Sequence, residues 1–383
     1  MDSLRAMKLR MLKRLLWPHE VCVGAGSVER IGCLDSAKIL LVTTGSARKT
    51  GALEKMASQL KCATASQVLE LPAGEPQAST IEALQSEVTT FSPEWILAVG
   101  GGSVIDAAKF LWAQYEHPEL ALTGTSPVTV GPLRQKARFI AVPTTAGSGS
   151  EASQVAVLSG EDGAKIPFVS SDWVPDIVIL DPTLTVSLPR ELTVATGFDA
   201  LTHAVESAVS SLGNPFLPPL AATAVKLIVK HLPVAAENPG DLTARGGMLE
   251  AAFLAGACQS IASTGAAHAL SHASSKMLGA QHGASTGFFL LPTMRWNLSK
   301  NAALYDELAY GCGFENGTAL VMVLAELATR LGVPQSFKEF VGKSLEPDNR
   351  QKLAELASKD VCLRTNAARM KQTDLAQLIS EIG

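Results

Sequence analysis

Four short runs of aliphatic and β-branched residues, KILLVTTG (38–45), WILAVGGGS (95–103), FIAVPTTAGSGS (139–150) and DIVILDP (176–182), each end in a turn. Apolar runs of this length, without polar alternation, read as strands buried on both faces. Helical stretches separate the first three, as in TGALEKMASQL (50–60) and VIDAAKFLW (104–112). Strand–helix–strand alternation leaves few solutions, because parallel strands need a crossover and the crossover helices must cover the sheet. The first half is therefore expected to form a mostly parallel, doubly wound α/β sheet with helices on both faces.

From about residue 188 the pattern changes. LPRELTVATGFDALTHAVESAVS, PLAATAVKLIVKHL, ARGGMLEAAFLAGACQSI and GAAHALSHASSKML read as Ala- and Leu-rich helices without strand signals between them, and DLAQLISEIG closes the chain as a short helix. An all-α second domain follows, joined near DPTLTVSLP, so the expected division is 1–187 and 188–383. A chain of 383 residues with 47% apolar and 18% charged residues suits two lobes with substantial cores. A net charge of −4, three Tyr and five Trp give no general attraction to nucleic acid or anionic membrane and no base-stacking platform. The six cysteines are scattered without CxxC pairs, which points to reduced thiols in a cytoplasm. The basic opening, MDSLRAMKLRMLKRLLWPHE, lacks a long apolar segment and a small-residue cleavage site, and reads as a solvated lead-in. No stretch reaches the ~18 uncharged apolar residues of a membrane span.

Two turns carry ligand-binding character. In AVGGGSVIDAAK the three glycines (100–102) are expected to adopt positive φ and to let backbone approach a ligand, with the next helix aiming its first N–H groups at an anion. This is not GxGxxG spacing, and a tight βα turn with nothing bound fits equally well. PTTAGSGSEAS (143–153) clusters Thr144, Thr145, Ser148 and Ser150 after another strand, where doubly wound sheets bind ligands. Together the two turns favour a dinucleotide site.

The histidines divide into two sets. His19, His117 and His231 have polar neighbours and are expected at the surface. The other four share apolar or small-residue surroundings in the helical half: His203 four residues after Asp199, His268 four before His272, and His282 ten later. Residues at i and i+4 share a helix face. Single histidines of this kind are usually hydrogen-bonded core residues. A carboxylate with several imidazoles suits a borderline divalent cation such as Fe²⁺ or Zn²⁺.

At these residues the chain resembles the iron-containing (group III) alcohol dehydrogenases of the dehydroquinate synthase-like superfamily. GGGSVIDAAK is similar to that family's pyrophosphate turn, AVPTTAGSGSE to its second cofactor loop, ATGFDALTHAVES and HALSH followed by HG to its metal segments, and DVCLRTNAAR (360–369) to its C-terminal ending. The resemblance implies a Rossmann-like domain, a helical metal-binding domain, a cleft between them and a homodimer. It implies metal ligation by Asp199, His203, His268 and His282, with His272 beside substrate and nicotinamide as the catalytic proton-transfer residue. It also implies cofactor contacts from Gly101, Gly102, Ser103, Asp106, Thr144, Thr145, Ser148 and Lys165. Gln281, Ser274 and Ser275 depart from the family's usual residues and are expected to reshape the substrate pocket.

The expected chemistry is hydride transfer between a nicotinamide and a small alcohol or aldehyde whose oxygen is polarised by Fe²⁺ or Zn²⁺. Three rivals are a glycerol-dehydrogenase-like zinc enzyme, a dehydroquinate-synthase-like lyase and a non-catalytic nucleotide-binding descendant. The lyase would need Lys and Arg for a phosphorylated acid, and the metal segments are poor in both. For the cofactor's 2′ position, Thr44, Gly45 and Ser46 end a strand, with Arg48 and Lys49 close behind and nothing acidic expected to guard the site. NADP(H) is therefore expected to be favoured over NAD(H).

Overall fold

A computed structural model of the chain describes residues 15–34, 37–72, 74–120, 122, 130–160 and 165–383. Most of the basic lead-in, residues 1–14, lies outside the described residues. The chain divides into two compact units, Leu16–Leu188 with Pro239–Phe253, and Pro189–Asn238 with Leu254–Gly383.

In the first unit, strands β1 (Glu20–Val23), β2 (Lys38–Thr44), β3 (Ala65–Leu71), β4 (Trp95–Gly100) and β5 (Arg138–Pro143) join β8 (Ile177–Leu180) in one sheet. All pairings are parallel and the order is β1-β8-β5-β4-β2-β3. Strands β6 (Val155–Ser159) and β7 (Lys165–Val169) form a separate antiparallel hairpin. Helices α1 (Gly45–Lys49), α2 (Ala52–Gln59), α3 (Ala78–Phe91) and α4 (Gly102–Glu116) alternate with the strands. Alternate strand residues enter two cores: Ile39, Leu41, Leu97, Val99, Ile140 and Val142 one, Leu40, Val42, Ile96, Ala98, Phe139 and Ala141 the other. Burial on both faces explains the unbroken apolar runs. Three elements escaped the sequence patterns. β1 and β3 are edge strands with partly polar residues, and the β6–β7 hairpin has a half-exposed face.

Strand order reverses direction between β2 and β4, since β3 lies outside β2 while β4, β5 and β8 extend the other way. Ligands of open α/β sheets bind beyond the carboxyl ends of strands at such a switch point. The turns after β4 and β5 both leave the sheet at its carboxyl edge.

From residue 190 onward the described chain is helical apart from turns: α5 (Arg190–Ala208), α6 (Leu217–Glu237), α7 (Leu242–Ala262), α8 (Ala266–Leu278), α9 (His282–Lys300), α10 (Ala302–Cys312), α11 (Gly317–Leu331), α12 (Phe337–Val341), α13 (Pro347–Ser358) and α14 (Gln372–Glu381). By length and composition α6 could cross a membrane; more than half of the qualifying stretch is buried in protein. His231, expected at the surface, is buried on α6, because it continues the inward face of Ile228 and Ala235 at helical spacing. Glycines allow α5, α6 and α9 to approach closely. A Cβ on Gly197 would collide with Leu232, one on Gly287 would stand 2.8 Å from Phe198 Cβ, and one on Gly283 2.8 Å from the Ala195 carbonyl oxygen.

One buried charge organises the turn that follows β5. Lys109 on α4 is fully buried, and its ammonium donates to the carbonyls of Ser150 (2.7 Å), Ser153 (2.7 Å) and Val155 (3.1 Å). Burial pulls it down to about 8 despite the nearby Asp106 and Glu151 carboxylates. Burial likewise pushes Glu151 up to about 7, against a backbone N–H and Lys109. From its ordinary value of 4.5 up to about 7, the folded chain thus holds a proton that the unfolded chain has lost. Stability from this group declines as pH rises through that window. Glu151→Gln should make the thermal midpoint fall less between about pH 5 and pH 8 than in the parent. Equal pH slopes in the two proteins would refute the assignment.

Candidate active site

Helix α5 carries Asp199, His203 and Glu206 at i, i+4 and i+7, hence on one face. Helix α8 presents His268, Ser271 and His272, and α9 begins at His282. The Cβ-free Gly283 beside the Ala195 carbonyl is what lets the start of α9 reach α5. Donor atoms of Asp199, His268 and His282 come within 4.8 Å of one another. Asp199 Oδ1 is the point of convergence, 3.6 Å from His282 Nε2 and 3.9 Å from His268 Nε2. Thr286 donates its hydroxyl to the same oxygen at 3.0 Å.

The opposite ring nitrogens are tied down. His268 Nδ1 lies 2.7 Å from Glu206 Oε2. His282 Nδ1 lies 3.1 Å from Ser271 Oγ, whose hydroxyl can donate onward to the His282 carbonyl at 3.1 Å. An acceptor at Nδ1 selects the Nδ1–H tautomer and turns the Nε2 lone pair toward Asp199. His268 Nε2 and His203 Nδ1 are buried with no hydrogen-bond partner among the described residues. Buried ring nitrogens are seldom left so, and for His268 Nε2, whose lone pair is fixed by the Nδ1 contact, an electrophile is what would satisfy it. One carboxylate oxygen with imidazole nitrogens fits Fe²⁺ or Zn²⁺. His203 stands beside the three-donor group, its ring centre 4.6 Å from that of His268.

Electrostatics favour an anionic Asp199. Burial alone would raise its carboxyl, but His203, His282, His268 and the Thr286 hydroxyl hold it below its ordinary value. Burial and the neighbouring rings of His203 and His282 keep His268 well below 6.5, so it is neutral and able to donate a lone pair. Glu206 accepts from the backbone N–H groups of Gly265 (2.8 Å) and Ala267 (2.7 Å), yet burial pushes it up to about 7.

His272 occupies a different environment. Its ring stacks on His282 with centres 5.3 Å apart and 17° between planes, and its Nδ1 lies 2.9 Å from Asp360 Oδ2. Its donors group with Asp360 and Cys362, not with Asp199.

In the α/β unit, Thr144 N–H donates to the Gly100 carbonyl at 2.9 Å and joins the two turns. Gly100, Gly101 and Gly102 do not take positive φ, contrary to expectation; Gly101 is extended at φ −75°. The glycines are needed for contact: a Cβ on Gly101 would lie 3.2 Å from Thr145 Oγ1, and one on Gly102 would overlap Ser148 Oγ. Gly101 caps α4 without a side-chain acceptor, so first-turn N–H groups lack a side-chain cap where an anion would sit. Ser103 Oγ and Lys165 Nζ meet at Glu75 Oε2, at 3.4 and 2.9 Å. Asp106 is buried and accepts from Val157 N–H at 3.1 Å, anchoring the β6–β7 hairpin. At the end of β2, Thr44 and Ser46 hydroxyls lie 2.7 Å apart. An acid is nevertheless present there. Glu70 Oε1 would stand 2.9 Å from a Cβ on Gly45, and Glu70 Oε2 is 3.4 Å from Arg48 Nη2. It comes from β3, where Glu70 pairs with Thr43, and so is invisible in the β2 segment itself.

Glu206, Ser271, Thr286, Asp360, Glu75 and Glu70 were not singled out by motif reading. Glu206 had a signal, three residues past His203 on the same face. Gln281 caps α9 by accepting from Ala284 N–H at 2.7 Å, and Ser275 donates to the Ala280 carbonyl at 2.9 Å, so these two departures are used locally, whereas the third, Ser274, buries its hydroxyl with no hydrogen-bond partner among the described residues. Replacing Glu206 by Gln should weaken metal binding by roughly 10–100-fold, because His268 loses its anionic anchor. Unchanged affinity in a metal titration would show that Glu206 only supports the fold.

Residues 18–182 match the family model for iron-containing alcohol dehydrogenase, and residues 193–383 match the C-terminal model of the Fe-containing alcohol dehydrogenase family. An NADPH-dependent butanol dehydrogenase of Clostridium saccharobutylicum is 32% identical over 96% of this chain and 97% of its own. A 1-propanol dehydrogenase of Salmonella typhimurium is 30% identical over 94% and 96%. Among solved structures, an iron-containing alcohol dehydrogenase from Thermococcus thioreducens superposes with a TM-score of 0.87 at 31% identity, covering 96% of this chain and 99% of that one.

Proposed function

The chain belongs to the iron-containing alcohol dehydrogenase family, and on that premise we propose which of its residues perform the reaction. It is a metal-dependent, NAD(P)-linked oxidoreductase acting on alcohols and aldehydes. Residues 188–383 form the metal-binding catalytic domain in this reading and 1–187 the dinucleotide-binding domain. The observation carrying it is the convergence of His268 Nε2 and His282 Nε2 on Asp199 Oδ1. Asp199, His203, His268 and His282 hold the divalent cation, with Fe²⁺ favoured over Zn²⁺. When bound, the cation supplies Lewis acidity to an alcohol or carbonyl oxygen.

The protein's own residues do the rest. Gly101, Gly102 and Ser103, at the start of α4, receive the cofactor pyrophosphate; Thr144, Thr145 and Ser148 border it; and Lys165 reaches the ribose. Asp106 supports this surface from beneath by holding the hairpin that carries Lys165. His272 takes or gives the substrate's proton, its ring oriented by Asp360. Cytoplasmic residence and a homodimer complete the reading, supported by the scattered thiols and by the family resemblance. His282→Ala should lose metal and turnover together, whereas His272→Ala should keep metal and lose about 10²–10⁴-fold in turnover. Metal analysis beside steady-state rates decides between these roles: a His282→Ala protein with full metal, or a metal-free His272→Ala protein, refutes them.

We assign NADP(H) as the preferred cofactor, supported by the Thr44, Gly45 and Ser46 turn, by Arg48, and by the NADPH-dependent relative. Glu70 opposes a 2′-phosphate and Arg48 offsets it. An exposed charge contact of up to about 1 kcal/mol corresponds to roughly fivefold in affinity. Kcat/KM should be higher with NADPH than with NADH, and Glu70→Gln should widen that ratio by up to about fivefold. A parent enzyme faster with NADH overturns the preference, and an unchanged ratio in the variant removes Glu70 from it.

A further inference from the structure

We propose that His272, Asp360 and Cys362 form a second, inhibitory site for a thiophilic divalent cation such as Zn²⁺, distinct from the Asp199 cluster. Their donor atoms lie within 4.8 Å of one another. Two elements supply them: His272 comes from α8, and the other two from the 3₁₀ turn Val361–Thr365 with its cap Asp360. The carboxylate is already fixed, accepting from Cys362 N–H at 2.8 Å through Oδ1 and lying 2.9 Å from His272 Nδ1 through Oδ2. Imidazole, carboxylate and thiolate together form the mixed N/O/S set that zinc accepts in preference to harder cations. Zinc bonds of about 2.0–2.3 Å place tetrahedral ligands roughly 3.3–3.8 Å apart, so the His272–Asp360 contact at 2.9 Å opens slightly to admit a cation while Cys362 stays within the 4.8 Å span of the group. Burial and the adjacent Asp360 carboxylate hold the Cys362 thiol well above its ordinary value, so the cation itself displaces the thiol proton, which leaves to solvent.

Occupation has a functional consequence that rests on the role proposed above for His272. A cation held by its imidazole removes that ring from proton transfer while leaving the Asp199 cluster loaded. Excess zinc should therefore inhibit without displacing the first metal.

Sulfur provides the discriminating readout, because the Asp199 cluster contains none. Co²⁺ added to the metal-loaded enzyme should develop cobalt–thiolate charge-transfer absorption in the near ultraviolet. That band should be absent from Cys362→Ser and from Cys362→Ala, the second variant guarding against a folding defect in the first. Zn²⁺ inhibition of the parent should weaken by tenfold or more in both variants, at least the cost of losing a supporting partner at a metal site. Absence of the band in the parent, its persistence in the variants, or equal zinc inhibition throughout would overturn the proposal. Failure of the Asp199 reading is told apart by metal analysis of His282→Ala, which does not involve Cys362.

Discussion

Glu206 is the constraint on which the helical site depends. One buried carboxylate accepts from Gly265 N–H, Ala267 N–H and His268 Nδ1, and so ties α5 to the first turn of α8. The two N–H groups belong to the start of a helix, where backbone donors have no intrahelical partner and an acid is stabilising. Gly265 is required for this, since a Cβ there would stand 2.8 Å from Glu206 Oε1 and from Asn366 Oδ1. The arrangement caps α8 and orients a histidine in a single stroke. Burial makes the carboxylate reluctant to ionise, so its anion depends on those donors and on positive charge nearby.

The α/β unit solves a comparable problem with a cation. Lys109 gathers three carbonyls of the segment that follows Thr144, Thr145 and Ser148, and thereby sets where those side chains stand. Ser148 and Thr145 then press against Gly102 and Gly101, so the two turns are one packed object. A turn packed against its neighbour presents its N–H groups in fixed directions, which is what binding an anion without reorganisation requires. Here the glycines exclude Cβ atoms; they do not supply unusual φ.

Much of this was legible in the sequence, for physical reasons. Strands buried on both faces are apolar throughout, so β2, β4, β5 and β8 announced themselves. The i,i+4 pairs of α5 and α8 are local, so Asp199, His203, His268 and His272 could be paired without coordinates. Edge strands β1 and β3 carry polar residues because one side meets solvent, and they hid for that reason. What stayed illegible was partnership across sequence distance. Nothing near His272 points to Asp360, and nothing in the β2 segment points to Glu70. His231 was misplaced because its neighbours in sequence are not its neighbours in space.

Three imidazoles of the helical unit have their Nδ1 atoms tied to two carboxylates and one hydroxyl, and the setting of each partner supports the division of roles proposed for them. His268 faces a carboxylate in a fully buried setting, which raises the basicity of its Nε2 at a fixed orientation. His282 faces a neutral hydroxyl, which fixes the ring without adding charge. His272 faces Asp360, whose carboxyl would be raised by burial but is held below its ordinary value by His272 itself and by Cys362 N–H. An acid kept ionised beside an imidazole stabilises the imidazolium when it forms, as a proton carrier needs. A metal ligand needs the opposite, a ring that stays neutral. On that reasoning the stacked rings of His272 and His282, 5.3 Å apart, suit different tasks because of what stands behind each of them, and neither ring's position in its helix would have told them apart.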